Sequence, residues 1–266
     1  MVIPKAIISD ADGTIIDTLH VIRHGQYEAL KTYLNQEKID VDIPDYETYV
    51  VHLNQSVGAA AQDTLRRTAI SLFPDRQDIF NGLDYEAIYN NILKPIQDDL
   101  APQYVKAYDG LDDFLKLCAQ KDIKFGIFTS GTPRNVVRNF GIAMPWLNLK
   151  DLFDDNSMSD IEKIGVFEQT VKKYYNLSDF IVVTAHDVTA HKPDPEALLL
   201  AMQRLDVSPI DCLVLGDHTV DMQSGVNADV PQIVGITHGF DDRKALENAG
   251  ATNIVDSLTD LISQLS

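Results

Sequence analysis

Five short apolar runs punctuate the chain, each closing on small or polar residues. They lie at residues 2–9, 125–128, 180–183, 212–215 and 232–236, and they run into Asp10, Thr129-Ser130-Gly131, Thr184, Gly216-Asp217 and Thr237. Continuous runs of this length, without alternation, are the pattern of strands buried on both faces of a parallel sheet. Apolar residues at three- and four-residue spacing fill the intervals at Leu111–Gln120, Glu196–Leu205 and 243–249, which read as helices. Alternating strands and helices predict an α/β core, a Rossmann-like doubly wound parallel sheet, with ligands at the carboxyl ends of its strands. The polar clusters fall at those ends.

Residues 18–104 break the alternation. Ala29, Leu30, Tyr33 and Leu34, then Val57, Ala60, Ala61 and Leu65, then Tyr85, Ile88, Tyr89, Ile92 and Leu93 follow helical spacing, and strand-like runs are almost absent. The expectation is an all-helical subdomain at 18–104, inserted into a core formed by 1–17 and 105–266, with joints near 17–20 and 103–109. A second stretch, 144–176, is long for a connection. It holds an acidic loop at 151–160 and a helix whose apolar positions are Ile161, Ile164, Val171 and Tyr174-Tyr175. It reads as a decoration packed beside the sheet, with an oligomer contact or a second wall of the active site as alternatives.

Composition narrows the classes. The 266 residues are 45% hydrophobic, enough for a sizeable core, and no apolar run approaches the roughly 20 residues that span a bilayer. The first residues lack a basic region and a cleavage site, so they read as a strand and not as a signal peptide. Cys118 and Cys212 sit in apolar segments and read as buried free thiols of a cytoplasmic protein. A formal net charge of −18 disfavours nucleic acid and anionic membranes as partners. An acidic protein that handles an anionic substrate must supply positive charge locally.

The chemistry concentrates after the first run, at Asp10-Ala-Asp12-Gly-Thr14. In a strand, residues two apart point to one side, and here the glycine lets the ending strand turn so that both carboxylates can meet. Two acids held together repel, so they need a metal, a shared proton or divided roles. Asp217 and Asp221 lie one helical turn apart if a helix follows the fourth run, so both could face one ion. No His/Cys cluster has zinc spacing, and Ser130 has no Ser-His-Asp context. His186, His191 and His218 read as surface or hydrogen-bonding residues.

Asp10-Ala-Asp12-Gly-Thr14, the Thr129-Ser-Gly131 strand end, Lys192-Pro193 and Gly216-Asp217-His-Thr-Val-Asp221 occur in that order. This series resembles the haloacid dehalogenase superfamily, in the branch with a helical cap between the first two motifs, to which the phosphoglycolate phosphatases and β-phosphoglucomutases belong. The resemblance covers essentially the whole chain. It implies that Asp10 is a nucleophile forming an aspartyl-phosphate, and that Asp12 protonates the leaving oxygen and then activates water. It implies Mg²⁺ held by Asp10, the main-chain carbonyl of Asp12 and Asp217, with Asp221 behind them holding a metal-bound water or Lys192. Lys192 supplies the fixed cation, and Thr129 with the Ser130 and Gly131 backbone N–H groups binds phosphate. Pro193 is expected to set a helix start, with Asp194 and Pro195 inside its first turn.

In this branch the cap presents a specificity loop, whose nearest match is Leu53-Asn54-Gln55-Ser56-Val57-Gly58; His52, Asn54 and Gln55 could hydrogen-bond a polar leaving group. The loop itself carries no Arg or Lys, which counts against a substrate with a second strong anion. Three departures stand out: Tyr108-Asp109-Gly110 in place of a Pro-Gly turn, the long 144–176 stretch, and Ala228-Asp229 in place of Ala-Gly. The function implied is a Mg²⁺-dependent phosphatase acting on a small phosphorylated metabolite. A sugar phosphomutase of the β-phosphoglucomutase type, or a binding protein that has lost turnover, remain open beside it, as does the oligomeric state.

Overall fold

Residues 2–266 are described by a computed structural model. Six strands form one parallel sheet in the order β5-β4-β1-β6-β7-β8: β1 (Ala6–Ser9), β4 (Lys124–Phe128), β5 (Phe180–Val183), β6 (Cys212–Gly216), β7 (Gln232–Ile236) and β8 (Asn253–Val255). β1 lies at the centre, with Ala6 in register with Lys124 on one side and Cys212 on the other. From β1 the chain fills one side through β4 and β5, then crosses to build β6, β7 and β8 on the other. Strand order therefore reverses at β1, and the carboxyl ends of β1, β4 and β6 flank the crevice where such folds bind ligands. The doubly wound α/β sheet is the architecture expected from the apolar runs. β8 was not, because Asn253 and Ile254 are only partly buried and form no continuous apolar run.

A two-stranded antiparallel ladder, β2 (Ile16–Asp17) with β3 (Lys106–Ala107), joins the two chain crossings, and Lys106 Nζ lies 3.7 Å from Asp17 Oδ2. The chain divides there into two compact units: the segment up to Asp17 together with Lys106–Ser266, and Thr18–Val105. The second unit is helical, with α1 (Leu19–Gln36), α2 (Tyr46–Asn54), α3 (Ala61–Leu72), α4 (Gln77–Phe80), α5 (Tyr85–Ile88) and α6 (Lys94–Tyr104). Its own core holds Leu30, Leu34, Tyr49, Leu53, Leu65, Ala69, Phe80 and Ile88. Asp45 caps α2 by accepting the Thr48 N–H at 2.8 Å, which satisfies one of the donors left open at a helix start.

The first unit carries α7 (Leu111–Gln120), α8 (Pro133–Ala143), α9 (Lys150–Asp154), α10 (Asp160–Tyr175), α11 (Glu196–Leu205), α12 (Thr219–Asn227), α13 (Arg243–Asn248) and α14 (Leu258–Leu265). Gly110, at φ +92°, opens α7 in a backbone conformation that glycine adopts without penalty. Asp229 takes the left-handed turn after α12 at φ +56°, in the place where Ala-Gly is the commoner pair.

The 144–176 stretch packs beside the sheet on three of the positions the spacing selected, Ile164, Val171 and Tyr175, and not on the other two. Phe167 is fully buried, whereas Ile161 and Tyr174 are 74% and 52% exposed. The buried face of α10 runs through Ile164, Phe167, Val171 and Tyr175, a three- and four-residue stripe that begins one turn later than expected. α10 also closes the sheet edge: Glu168 Oε1 accepts the Val182 N–H of β5 at 2.7 Å. Cys118 and Cys212 are free and buried. Among the described residues, no helix is long and apolar enough to cross a membrane.

Candidate active site

At the end of β1 the Asp10 N–H still donates to Leu215 O of β6 at 2.8 Å, which keeps the aspartate in the sheet frame. Gly13 then turns the chain at φ +90°, and the Thr14, Ile15 and Ile16 N–H groups all converge on Ala11 O. The turn delivers the Thr14 hydroxyl between two acids, 2.5 Å from Asp217 Oδ1 and 3.3 Å from Asp10 Oδ2.

Asp217 follows β6, and its second oxygen accepts the Phe240 N–H at 2.7 Å. Asp221 sits in the first turn of α12, where Oδ2 accepts the His218 N–H at 3.1 Å in a reciprocal cap. His218 is therefore a buried helix cap, a hydrogen-bonding role as expected. Gly216 makes this approach possible: a β-carbon there would lie 2.4 Å from Asp221 Cβ.

Lys192 Nζ reaches Asp10 Oδ1 at 2.5 Å and Asp221 Oδ1 at 2.7 Å, over the Phe128 ring at 3.8 Å from its centroid. The loop that carries it is tied down by Glu196, which accepts the Ala190 and Thr189 N–H groups at 2.7 and 3.1 Å, and by Asn227, whose amide donates to Pro193 O at 2.9 Å. α11 starts at Glu196 with Pro195 as its cap, so Asp194 and Pro195 precede the first turn instead of lying within it.

The carboxylates of Asp10, Asp217 and Asp221 offer oxygens that lie within 4.8 Å of one another, and all three residues are buried. Burial drives the Asp10 carboxyl up to about 7 against the pull of Lys192, with Asp221 and Asp12 adding to the rise. Asp217 is raised well above the usual carboxylate range by burial, then by Asp10 and Asp221. Burial alone would lower Lys192, but Asp10 and Asp221 outweigh it and hold the ammonium charged. Three buried acids with one ammonium leave two negative charges uncompensated when all are ionised, a large penalty in a buried site. An all-oxygen donor set with that deficit fits a hard divalent cation.

Asp12 stands apart from this trio. Its carboxylate is met by the Thr129 hydroxyl at 3.4 Å and by Asn139 Nδ2 at 3.3 Å, a set of partners separate from that of Asp10. The acid gathered with Asp10 and Asp217 is Asp221, which also holds Lys192, one of the two roles the resemblance implied for it. Thr129 follows β4, and its Oγ1 accepts the Gly131 N–H at 2.9 Å; that N–H, expected for phosphate, is engaged within the turn. Ser130 lies in the same turn, before Thr132 caps α8 by accepting the Asn135 N–H at 3.3 Å.

His52, Asn54 and Gln55 lie at the end of α2 in the helical unit. His52 Nδ1 is 2.7 Å from Ser71 Oγ, and Gln55 is exposed. Asn54 Oδ1 accepts from Arg23 Nε of α1 at 3.3 Å. The loop itself carries no Arg or Lys, and the guanidinium beside it comes from α1.

A family model described as haloacid dehalogenase-like hydrolase matches residues 4–229. The chain belongs to this family. Among related hydrolases, it is 23% identical over 257 residues to the phosphorylated carbohydrates phosphatase of Thermotoga maritima, covering 94% of each chain. It is 22% identical over 262 residues to the pyrophosphatase PpaX of Bacillus mycoides, covering 98% of this chain and 97% of the relative. Its fold matches the crystal structure of a hydrolase from Pseudomonas syringae with a TM-score of 0.69 at 23% identity, over 98% of this chain and 97% of the other.

Sequence reasoning assigned no role to Thr14, Asn139, His238, Gly239 or Phe240. Thr14 was visible in the first motif. The other four act across 127 residues (Asn139 on Asp12), 224 (His238 on Thr14), 23 (Phe240 on Asp217) and 22 (Gly239 against Asp217), and no local spacing announces such contacts.

Proposed function

We propose that this haloacid dehalogenase-like hydrolase is a Mg²⁺-dependent phosphatase that hydrolyses a small phosphomonoester through an aspartyl-phosphate on Asp10. The observation that carries the reading is the single ammonium of Lys192 among three buried carboxylates, next to an acid with uncharged partners. Relatives named as phosphatases of phosphorylated carbohydrates and of pyrophosphate support the reaction class.

Asp10, Asp217 and the main-chain carbonyl of Asp12 would hold the ion, with Asp221 alongside. When bound, Mg²⁺ supplies positive charge that offsets the carboxylates and the phosphoryl oxygens. Lys192 favours the ionised form of Asp10, the form that attacks phosphorus. Asp12 gives its proton to the departing oxygen, then takes one from the water that hydrolyses the aspartyl-phosphate. Thr129 can turn its hydroxyl toward a phosphoryl oxygen, beside the Ser130-Gly131 backbone and Lys192. The Thr14 hydroxyl donates to Asp217 Oδ1 and fixes that oxygen.

Substrate choice is assigned to the helical unit as a cap, through His52, Asn54 and Gln55, with Arg23 beside Asn54. The reading includes a cytoplasmic location, supported by two free, buried cysteines.

Release of inorganic phosphate from a panel of phosphomonoesters, with Mg²⁺ and then with EDTA, tests the proposal. Metal-dependent release that favours one compound supports it. Absence of release from folded protein with Mg²⁺ present moves the weight to a phosphomutase, which burst kinetics with a hexose 1-phosphate and a sugar bisphosphate would reveal.

A further inference from the structure

The Asp12 carboxylate accepts from two uncharged side chains. Thr129 donates to Oδ2, and Asn139 Nδ2 donates to Oδ1. Asn139 projects from α8, the helix that follows the Thr129 turn, and is 5% exposed. An amide can present either its oxygen or its NH₂ to a carboxylate, and only the NH₂ attracts it. The choice is made from the other side. Arg138 Nε–H lies 3.0 Å from Asn139 Oδ1, and a guanidinium donates but never accepts. The amide oxygen is thereby committed to Arg138, and the NH₂ is turned toward Asp12.

This relay has a chemical consequence. A neutral amide holds one oxygen in place in either protonation state, because the carbonyl oxygen of a protonated carboxyl still accepts. The Thr129 hydroxyl on the other oxygen can donate to a carboxylate or accept from a carboxylic acid. Asp12 can thus cycle its proton without losing its position.

We infer that Asn139, oriented by Arg138, is the positioning residue for proton transfer by Asp12, and so governs how well the enzyme handles leaving groups that need a proton. The inference rests on the acid–base reading of Asp12. In the step concerned, an Asp10 oxygen bonds to phosphorus as the bond from phosphorus to the leaving oxygen breaks. The bonding pair stays on the leaving oxygen, which takes the Asp12 proton; Asp12 is left as a carboxylate and is reprotonated by the water of the second half-reaction.

The test compares two substrates in Mg²⁺-loaded enzyme. p-Nitrophenyl phosphate leaves as a stable phenolate and gains little from a proton donor; glycerol phosphate leaves as an alkoxide and depends on one. Asn139→Ala and the volume-preserving Asn139→Leu are expected to lower kcat on glycerol phosphate by at least ~10-fold more than on p-nitrophenyl phosphate, a fraction of the roughly 10²–10⁴-fold that a proton donor supplies. In an Asp12→Asn background the same changes should add no further difference between the substrates. Equal losses on both substrates, or an undiminished difference in the Asp12→Asn background, would overturn the inference and mark Asn139 as structural. Wild-type enzyme that releases phosphate from neither substrate would instead count against the phosphatase reading itself.

Discussion

Gly239 lies so close to Asp217 that a β-carbon on it would fall 1.9 Å from Asp217 Oδ2. The glycine lets the segment after β7 fold over the acid, so that Phe240 N–H can bind Oδ2 and Asp241 N–H can bind the Asp217 carbonyl at 3.1 Å. Gly239→Ala must push the two segments apart. The expected cost is about 1–3 kcal/mol of stability, the usual range for overpacking. Turnover should fall together with the apparent Mg²⁺ affinity, read from chemical unfolding and a Mg²⁺ titration of phosphate release. Unchanged Mg²⁺ affinity would separate Gly239 from the metal site.

His238 makes a second link from the same segment. Its ring stacks on Tyr108 at 3.7 Å, and its Nε2 is 2.9 Å from Thr14 O. A carbonyl only accepts, so Nε2 carries the proton. Burial holds the imidazole below its ordinary value of 6.5, against the Thr14 carbonyl and Asp17, which favour the charged form. A depressed folded pKa means that the unfolded chain binds the extra proton more readily. Stability is then fully present above pH 6.5 and is lost as pH falls through the folded pKa. His238→Asn should flatten this loss, measured by denaturant unfolding at pH 8 and at pH 5.5.

Lys192 neutralises acids that burial would otherwise force to keep protons. Lys192→Met leaves Asp10 and Asp221 without their ammonium, and breaking a buried pair in this way costs about 3–5 kcal/mol. The loss should be smaller at pH 5, where the Asp10 carboxyl takes up a proton, than at pH 8. Phosphate release should fall by two orders of magnitude or more at every pH. Unfolding and turnover across that range check both statements.

Metal binding should appear as stability as well as rate. A ligand that binds only the folded chain, at about 100 times its Kd, adds about 2.7 kcal/mol. Mg²⁺ is expected to raise the unfolding midpoint of the wild type, EDTA to reverse this and abolish turnover, and Asp217→Asn to weaken the effect of Mg²⁺. A midpoint that ignores Mg²⁺ in the wild type would remove the metal from the account.

The legible part of this protein was the part written along single segments. Asp10, Thr129 and Asp217 could be read because each ends or follows a buried apolar run, and a parallel sheet brings such ends to one crevice. Lys192 lies on a loop far from them in sequence and was found only through family resemblance. Asn139 could not be read. It looks like any polar residue of α8, and only the fold brings it to Asp12. The α10 helix was expected, but its buried face was read only in part. Ile161 and Tyr174 are apolar yet exposed, so counting apolar residues shifted the buried face away from Phe167. β8 was missed because a three-residue strand at a sheet edge, with Asn253 and Ile254 only partly buried, carries too little pattern.

The most direct measurement asks where the phosphoryl group goes. Enzyme turning over a phosphomonoester with Mg²⁺ would be quenched in acid and reduced with borohydride, and the modified peptide identified by mass. The account predicts one reduced aspartyl-phosphate, at Asp10, and neither this product nor phosphate release from Asp10→Asn. Near-normal turnover by Asp10→Asn, or a phosphoryl group on another residue, would contradict it.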